Sequence, residues 1–229
     1  MKKIVIAICS VLFLFSCLSA QYYKSITVGA GTRVIDYFPA NVRYLYPKFT
    51  LGQVFLKNGA VSSNWLNYNL LLGEMEFING PDTLAIVRKK DVNIITVERD
   101  TFLYRNGYLK LIHSGKVKVC LRDMIKLKDI VRKGAMGAPN RTSMVDSYSS
   151  MMLGGNFYDL IPTEDMVFQR TLEFYILTST GELVDFRKKN VLHLYPEKEK
   201  EIQSYLKSNK VNFEYGVDIL RFAGYLSGM

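Results

Sequence analysis

The chain has 229 residues, with 30 lysines and arginines against 21 aspartates and glutamates, a formal charge of +9 and 48% hydrophobic residues. That composition excludes a disordered chain, and 16 glycines with 6 prolines exclude a collagen-like or linker-dominated one. Three cysteines and two histidines leave little material for a metal site, so no metal and no cofactor is expected. The long apolar run sits at the extreme N-terminus, which argues against an integral helical membrane protein.

The chain opens Met1-Lys2-Lys3, runs apolar from Ile4 to Leu18 and then reads Ser19-Ala20-Gln21, the order of a secretory signal. Residues 1–20 are read as a signal peptide and the protein as exported. Two cleavages compete. A cut after Ala20 leaves Gln21 first, whereas Leu14-Phe15-Ser16-Cys17 resembles a bacterial lipobox, with Cys17 the candidate lipidation site. Loss of Lys2 and Lys3 leaves 28 basic against 21 acidic residues, a charge of +7. Cys120 is then the one unmodified thiol, so no internal disulfide forms and the core must suffice.

Residues 21–48 read as an N-terminal arm, with short strand-like runs at Ile26-Thr27-Val28 and Val34-Ile35-Asp36-Tyr37 broken up by Pro39 and Pro47. Residues 49–190 read as an antiparallel β domain, because short β-branched and aromatic runs alternate with turn signals. The expected strands are Gln53–Lys57, Trp65–Leu71, Glu74–Ile78, Thr83–Val87, Val92–Val97, Thr101–Tyr104, Tyr108–Ile112 and Lys116–Leu121. Asn58-Gly59 and Asn106-Gly107 supply the positive φ of tight hairpins. Met75 and Phe77 alternate with Glu74 and Glu76, and Val117, Val119 and Leu121 with Lys116, Lys118 and Arg122, so one face is expected to be dry and the other solvated.

A long loop, 134–162, carries Gly134, Gly137, Gly154 and Gly155 together with Met136, Met144, Met151 and Met152. Beyond it Met166–Leu177 and Glu182–Phe186 flank Thr178-Ser179-Thr180-Gly181 as one more hairpin. Residues 191–229 read as a helical hairpin packed on the sheet. Pro196 opens its first helix, with Ile202, Tyr205 and Leu206 on one face; the second runs from about Val217 to Leu226. The fold expected is mainly β (α+β), an antiparallel meander or sandwich whose dry face is covered by a second sheet and the C-terminal helices.

The specific motifs of hydrolases, zinc proteases, nucleotide enzymes and thiol redox proteins are missing after the signal, which points away from an enzyme. His113 and His193 have no neighbouring motif and receive no catalytic role. Glu74 and Glu76, two apart on a strand, project alike and read as the solvated face rather than an acid–base pair.

Charge distribution is more informative. Lys116, Lys118, Arg122, Lys126, Lys128, Arg132 and Lys133 face only Asp123 and Asp129 in eighteen residues, so five net charges sit there. With the four loop methionines they form the candidate partner-binding surface, the thioethers repacking against whatever docks. Export argues against nucleic acid as the partner. Cys120 alternates with the lysines and reads as incidental. Asp82-Thr83-Leu84 resembles an O-glycosylation acceptor of exported Bacteroidota proteins, with Thr83 the sugar-bearing residue, but so short a pattern recurs by chance and reads first as an ordinary turn-to-strand junction.

Tyr46-Pro47-Lys48-Phe49, Gly52-Gln53-Val54, Lys57-Asn58-Gly59, Leu66-Asn67-Tyr68-Asn69, Glu74-Met75-Glu76-Phe77-Ile78 and Asp82-Thr83-Leu84-Ala85 resemble a family of exported, largely uncharacterised β-rich proteins of Bacteroidota. The tail, with Tyr195-Pro196, Lys207-Ser208-Asn209-Lys210, Phe213 and Asp218, resembles tails of the same group. The resemblance brings no active site. It implies a periplasmic plug closing the translocon of the type IX secretion system, with a large outer-membrane barrel as partner and peripheral membrane contact. The function expected is therefore a non-enzymatic accessory protein at the inner side of the outer membrane, acting by protein–protein interaction. The alternative is a periplasmic or surface protein that binds a glycan or lipid.

Overall fold

The computed structural model describes residues 25–133, 139–142 and 160–229, with backbone alone at 132–133 and 139–142. Twelve strands form one antiparallel sheet: β1 (Ile26–Val28), β2 (Thr50–Leu56), β3 (Val61–Asn69), β4 (Glu74–Asn79), β5 (Asp82–Ala85), β6 (Val92–Val97), β7 (Asp100–Tyr104), β8 (Tyr108–Ser114), β9 (Lys118–Lys133), β10 (Pro139–Thr142), β11 (Asp165–Leu177) and β12 (Leu183–Asp185). The main path is β1-β11-β9-β8-β7-β6-β2-β3-β4-β5, with β10 on β9 and β12 on β11. The mainly β, antiparallel meander read from the sequence is the observed architecture. Turn chemistry explains the meander: Asn106 and Gly107 take φ +48° and +119° between β7 and β8, which matches the twist of a tight hairpin.

A second sheet was expected over the dry face, and the described residues form none. The one sheet curls instead. Ile125 N–H of β9 donates to Leu70 O just beyond β3 at 2.8 Å, although four strands lie between β9 and β3 in the sheet order. One core thus collects Val28 and Phe168 from one end of the sheet, Leu66, Tyr68 and Met75 from the other, and Ile95, Phe102 and Tyr108 from between. Closing the sheet on itself removes apolar surface from water without a covering layer.

The stretch read as an arm is built into this core through Val28, Val34, Ile35, Phe38 and Tyr46. Ile26–Val28 is a strand as read, pairing with β11, but Val34–Tyr37 is a single helical turn, α1, followed by α2 (Ala40–Arg43). Arg33 and Asp36, three apart, pair at 2.7 Å, a spacing that suits a helical turn.

C-terminal helices cover the second core. They are α3 (Lys188–Leu194), which the sequence did not reveal, α4 (Glu199–Asn209) and α5 (Gly216–Gly228). Val191, Ile202, Leu206, Ile219, Phe222 and Leu226 pack on Val117, Val119, Phe174 and Ile176 of the sheet. Pro196 opens a 3-10 turn, Pro196–Lys198, that leads into α4, and Lys210 ends α4 in the left-handed region at φ +47°.

Candidate functional site

Lys118, Arg122 and Lys126 share one face of β9, but they are not equally available. β9 is extended, so Lys118 and Lys128 stand ten residues apart, about 33 Å at the usual rise per residue. Lys116, Lys118 and Lys128 are exposed. Arg122 is not available to a partner: its Cζ lies 5.1 Å from the Tyr175 ring centre, and its Nη2 donates to Arg105 O and Asn106 O at 3.3 Å, fastening the β7–β8 turn. Lys126 pairs with Glu173 at 2.5 Å. The side chains of Arg132 and Lys133, the residues Met136, Met144, Met151 and Met152, and Cys17 lie outside the described residues.

Alternation placed Cys120 correctly on the face of Lys118 and Arg122, between Leu111 and Tyr175. It is fully buried there, and burial pushes its thiol up to about 11. Thr83 is exposed on β5, where a modifying enzyme could reach it. His113 fastens its own turn, its Nδ1 lying 2.8 Å from Val117 O, and His193 is exposed on α3.

The expectation that Glu74 and Glu76 face solvent fails. Glu76 is 1% exposed, accepting from Asn69 Nδ2 at 3.0 Å and from Tyr44 O–H at 2.7 Å. The chain before β2 lies beside β3: Leu45 N–H donates to Tyr68 O and Leu70 N–H to Arg43 O. Asn67 fills the irregular step in that pairing, accepting from Tyr46 N–H and donating to Tyr46 O. Glu74 is half-buried and paired with Lys89. Burial pushes its carboxyl up, and the hydrogen bond and charge of Lys89 offset that only in part. Burial followed by the bond to Glu76 likewise pushes Tyr44 above its ordinary value. These groups hold the chain before β2 against β3 and β4.

Sequence reasoning missed a feature at the end of the sheet. β5 is a terminal strand that pairs, among the described residues, with β4 alone. Beside it runs a groove of about 560 Å³ lined by Leu56, Phe77, Leu84, Ile86, Val87 and Val92, with Arg88 and Asp91 also in its wall. Val87 is 88% exposed. The signal was present: the run Leu84-Ala85-Ile86-Val87 lacks the polar alternation of a half-buried strand.

Among the described residues no three His, Cys, Asp or Glu side chains gather as a metal site, and no helix is long and apolar enough to cross a membrane. No family model, curated protein or solved structure matches this chain.

Proposed function

We propose that this chain is a non-enzymatic accessory protein of the cell envelope that acts by holding an extended segment of another protein against β5. The observation that carries this reading is the free edge of β5 next to an apolar groove. Unpaired backbone N–H and C=O groups on a terminal strand can take one more strand, and a groove alongside selects its alternate side chains. Natural sheets blunt such edges with lysines, bulges or very short strands; Asp82–Ala85 is short and begins with an aspartate but carries no lysine and no bulge, and Leu84 and Val87 stand exposed.

Following the sequence resemblance, the partner is a large outer-membrane barrel of the type IX secretion translocon, with this chain as its periplasmic plug. The test is affinity purification of the tagged protein from detergent-solubilised envelopes, beside a Leu84→Lys/Val87→Glu variant. Recovery of a barrel at near-equal amount, lost in the variant, supports the reading. A protein that comes out alone, or a partner that the variant keeps, rejects it.

The apolar lining of the same groove favours a second reading, a lipid-binding protein whose ligand places an acyl chain there. Lipid extracted with the purified protein and identified by mass spectrometry would separate the two.

A further inference from the structure

The outer face of the sheet, away from the curled core, carries an unusual pattern. Leu51 and Trp65 are direct cross-strand partners and are 59% and 54% exposed. Val61, 53% exposed, pairs with Phe55 on the same face, since residues two apart on a strand project alike. One step beyond the Leu66–Phe77 pair, the exposed Ile78 stands beside Trp65.

Between these apolar rows runs a ladder of uncharged polar residues, Ser63, Gln53, Thr96 and Thr101, each paired with the next across β3, β2, β6 and β7. On β2, β3 and β6 no charged side chain interrupts this face: β2 places Leu51, Gln53 and Phe55 there, β3 Val61, Ser63 and Trp65, and β6 Ile94 and Thr96, whereas on β4 Glu76 shares this side with Ile78 and is buried under Tyr44. The charges stand at the strand ends. Lys48 precedes β2, Lys57 follows it, Arg99 lies in the β6–β7 turn and Arg105 follows β7, all four exposed and none in a described ion pair. Glu98 is the acid in the same turn as Arg99, and Asp91, which stands beside Lys57 just before β6, is paired with Arg88 at 3.7 Å.

We propose that this outer face seats on an anionic lipid surface, with Trp65 and Leu51 entering the headgroup boundary and the four terminal cations meeting lipid charge. An apolar centre with a cationic rim is the pattern of interfacial membrane contact, and tryptophan is enriched at that depth. Charge decides against the other simple occupant, a second copy of the chain. A protein of formal charge +9, or +7 without residues 1–20, whose rim carries four cations outside the described ion pairs repels its own copy at close range and attracts an anionic surface. The face is separate from the β5 groove, so this inference and the proposed function fail independently.

Trp65 is the chain's single tryptophan, which makes its fluorescence a direct report on this face. The exported protein carrying Cys17→Ser, so that no lipid anchor contributes, is mixed with vesicles of phosphatidylcholine and phosphatidylglycerol at a ratio of about seven to three. Expected are a blue shift of Trp65 emission, quenching by brominated acyl chains and co-sedimentation with the vesicles. Binding should weaken as salt rises from about 50 to about 200 mM, where screening shortens the reach of surface charge. Leu51→Ser/Val61→Ser, both at exposed positions, should weaken sedimentation at least tenfold while circular dichroism stays unchanged. The β5 variant Leu84→Lys/Val87→Glu should bind vesicles as the parent does. The inference is overturned by an emission spectrum that anionic vesicles leave unmoved, by equal binding to pure phosphatidylcholine, by full binding of the Leu51→Ser/Val61→Ser form, or by a shift that an acidic protein produces and vesicles do not.

Discussion

Arg170 of β11 donates from Nε and Nη2 to the two carboxylate oxygens of Asp123 of β9, at 2.7 and 2.6 Å. The pair sits where the two cores meet on one strand pair: Val119 and Ile176 lie in the helix-covered core, Leu127 and Phe168 in the curled one. Asp123 is buried and Arg170 only a quarter exposed, so neither charge has water as an adequate substitute. Removing Arg170 leaves the buried Asp123 carboxylate without its two-pronged partner, and Arg170→Ala should cost about 3–5 kcal/mol; Asp123→Ala removes only one of the interactions of a quarter-exposed Arg170 and should cost less. Replacing both, as Asp123→Leu with Arg170→Met, should cost far less than Arg170→Ala, because no charge is then left unpaired. Urea unfolding of the three variants decides it; a double variant as unstable as Arg170→Ala would show that the pair itself, and not the orphaned charge, carries the stability.

Two half-buried glutamates should bend the stability–pH curve in opposite directions. Burial raises Glu74 and Lys89 offsets this only in part, so the folded chain holds more protons than the unfolded one between the ordinary carboxylate value and the raised one. Stability from Glu74 is present below that window and lost as pH rises through it. Burial also pushes Glu173 up, but the hydrogen bond and charge of Lys126, with Tyr175 and Arg122, outweigh it and leave the carboxyl below its ordinary value. Stability from Glu173 is present above the ordinary value and lost as pH falls through the lowered one. In urea unfolding between about pH 3 and pH 7, the cost of Glu74→Gln should shrink with rising pH and that of Glu173→Gln should grow. Slopes of the same sign for both variants would contradict the assigned environments.

The hairpins were legible because their signals are local. Asn-Gly turns and period-two runs located β2 to β8 within a few residues. What failed depends on distant chain. β9 was read only to Leu121 because its inward row, Val119, Leu121, Asp123, Ile125 and Leu127, contains a carboxylate whose partner Arg170 lies 47 residues away. An irregular step beside Lys128 then inverts the phase, so that Ile130 faces inward after Leu127. Glu76 looked solvated because nothing in Glu74–Ile78 announces that Tyr44 will donate to it from 32 residues upstream. The basic cluster was legible as charge and as a shared strand face, but not in what engages Arg122, which lies against Tyr175 and fastens the β7–β8 turn.

Cys120 should behave as a buried reporter of unfolding. Its thiol is fully buried between Leu111 and Tyr175 and pushed up to about 11, so little thiolate exists at neutral pH. In the exported protein with Cys17→Ser, modification by an aromatic disulfide reagent at pH 7 should be slow and should become independent of reagent concentration once opening limits it. Adding urea should accelerate it in step with the unfolding rate. Rapid modification of the folded protein, first order in reagent, would mean that the outer face opens locally at β8 and β9.

Gly52 should be the least replaceable glycine of the sheet. It takes an ordinary strand conformation, so its requirement is space and not φ. A Cβ there would stand 2.5 Å from Thr96 O, 2.9 Å from Leu66 Cδ1 and 3.2 Å from Val97 Cγ2. The carbonyl belongs to the β2–β6 ladder and cannot move without breaking the pairing of Gln53 with Thr96. Gly52→Ala should therefore destabilise by at least about 1–3 kcal/mol, the usual cost of forcing a methyl into a packed interior. Gly224 supplies the opposite case: it lies within α5, with nothing within 4 Å of its added Cβ. Gly224→Ala should stabilise by about 0.5–1 kcal/mol, since alanine loses less conformational freedom in a helix. Urea midpoints of the two variants should move in opposite directions. A tolerated Gly52→Ala would mean that β2 can slide from β6, and the close packing of Gly52 on Thr96, Leu66 and Val97 would have to be abandoned.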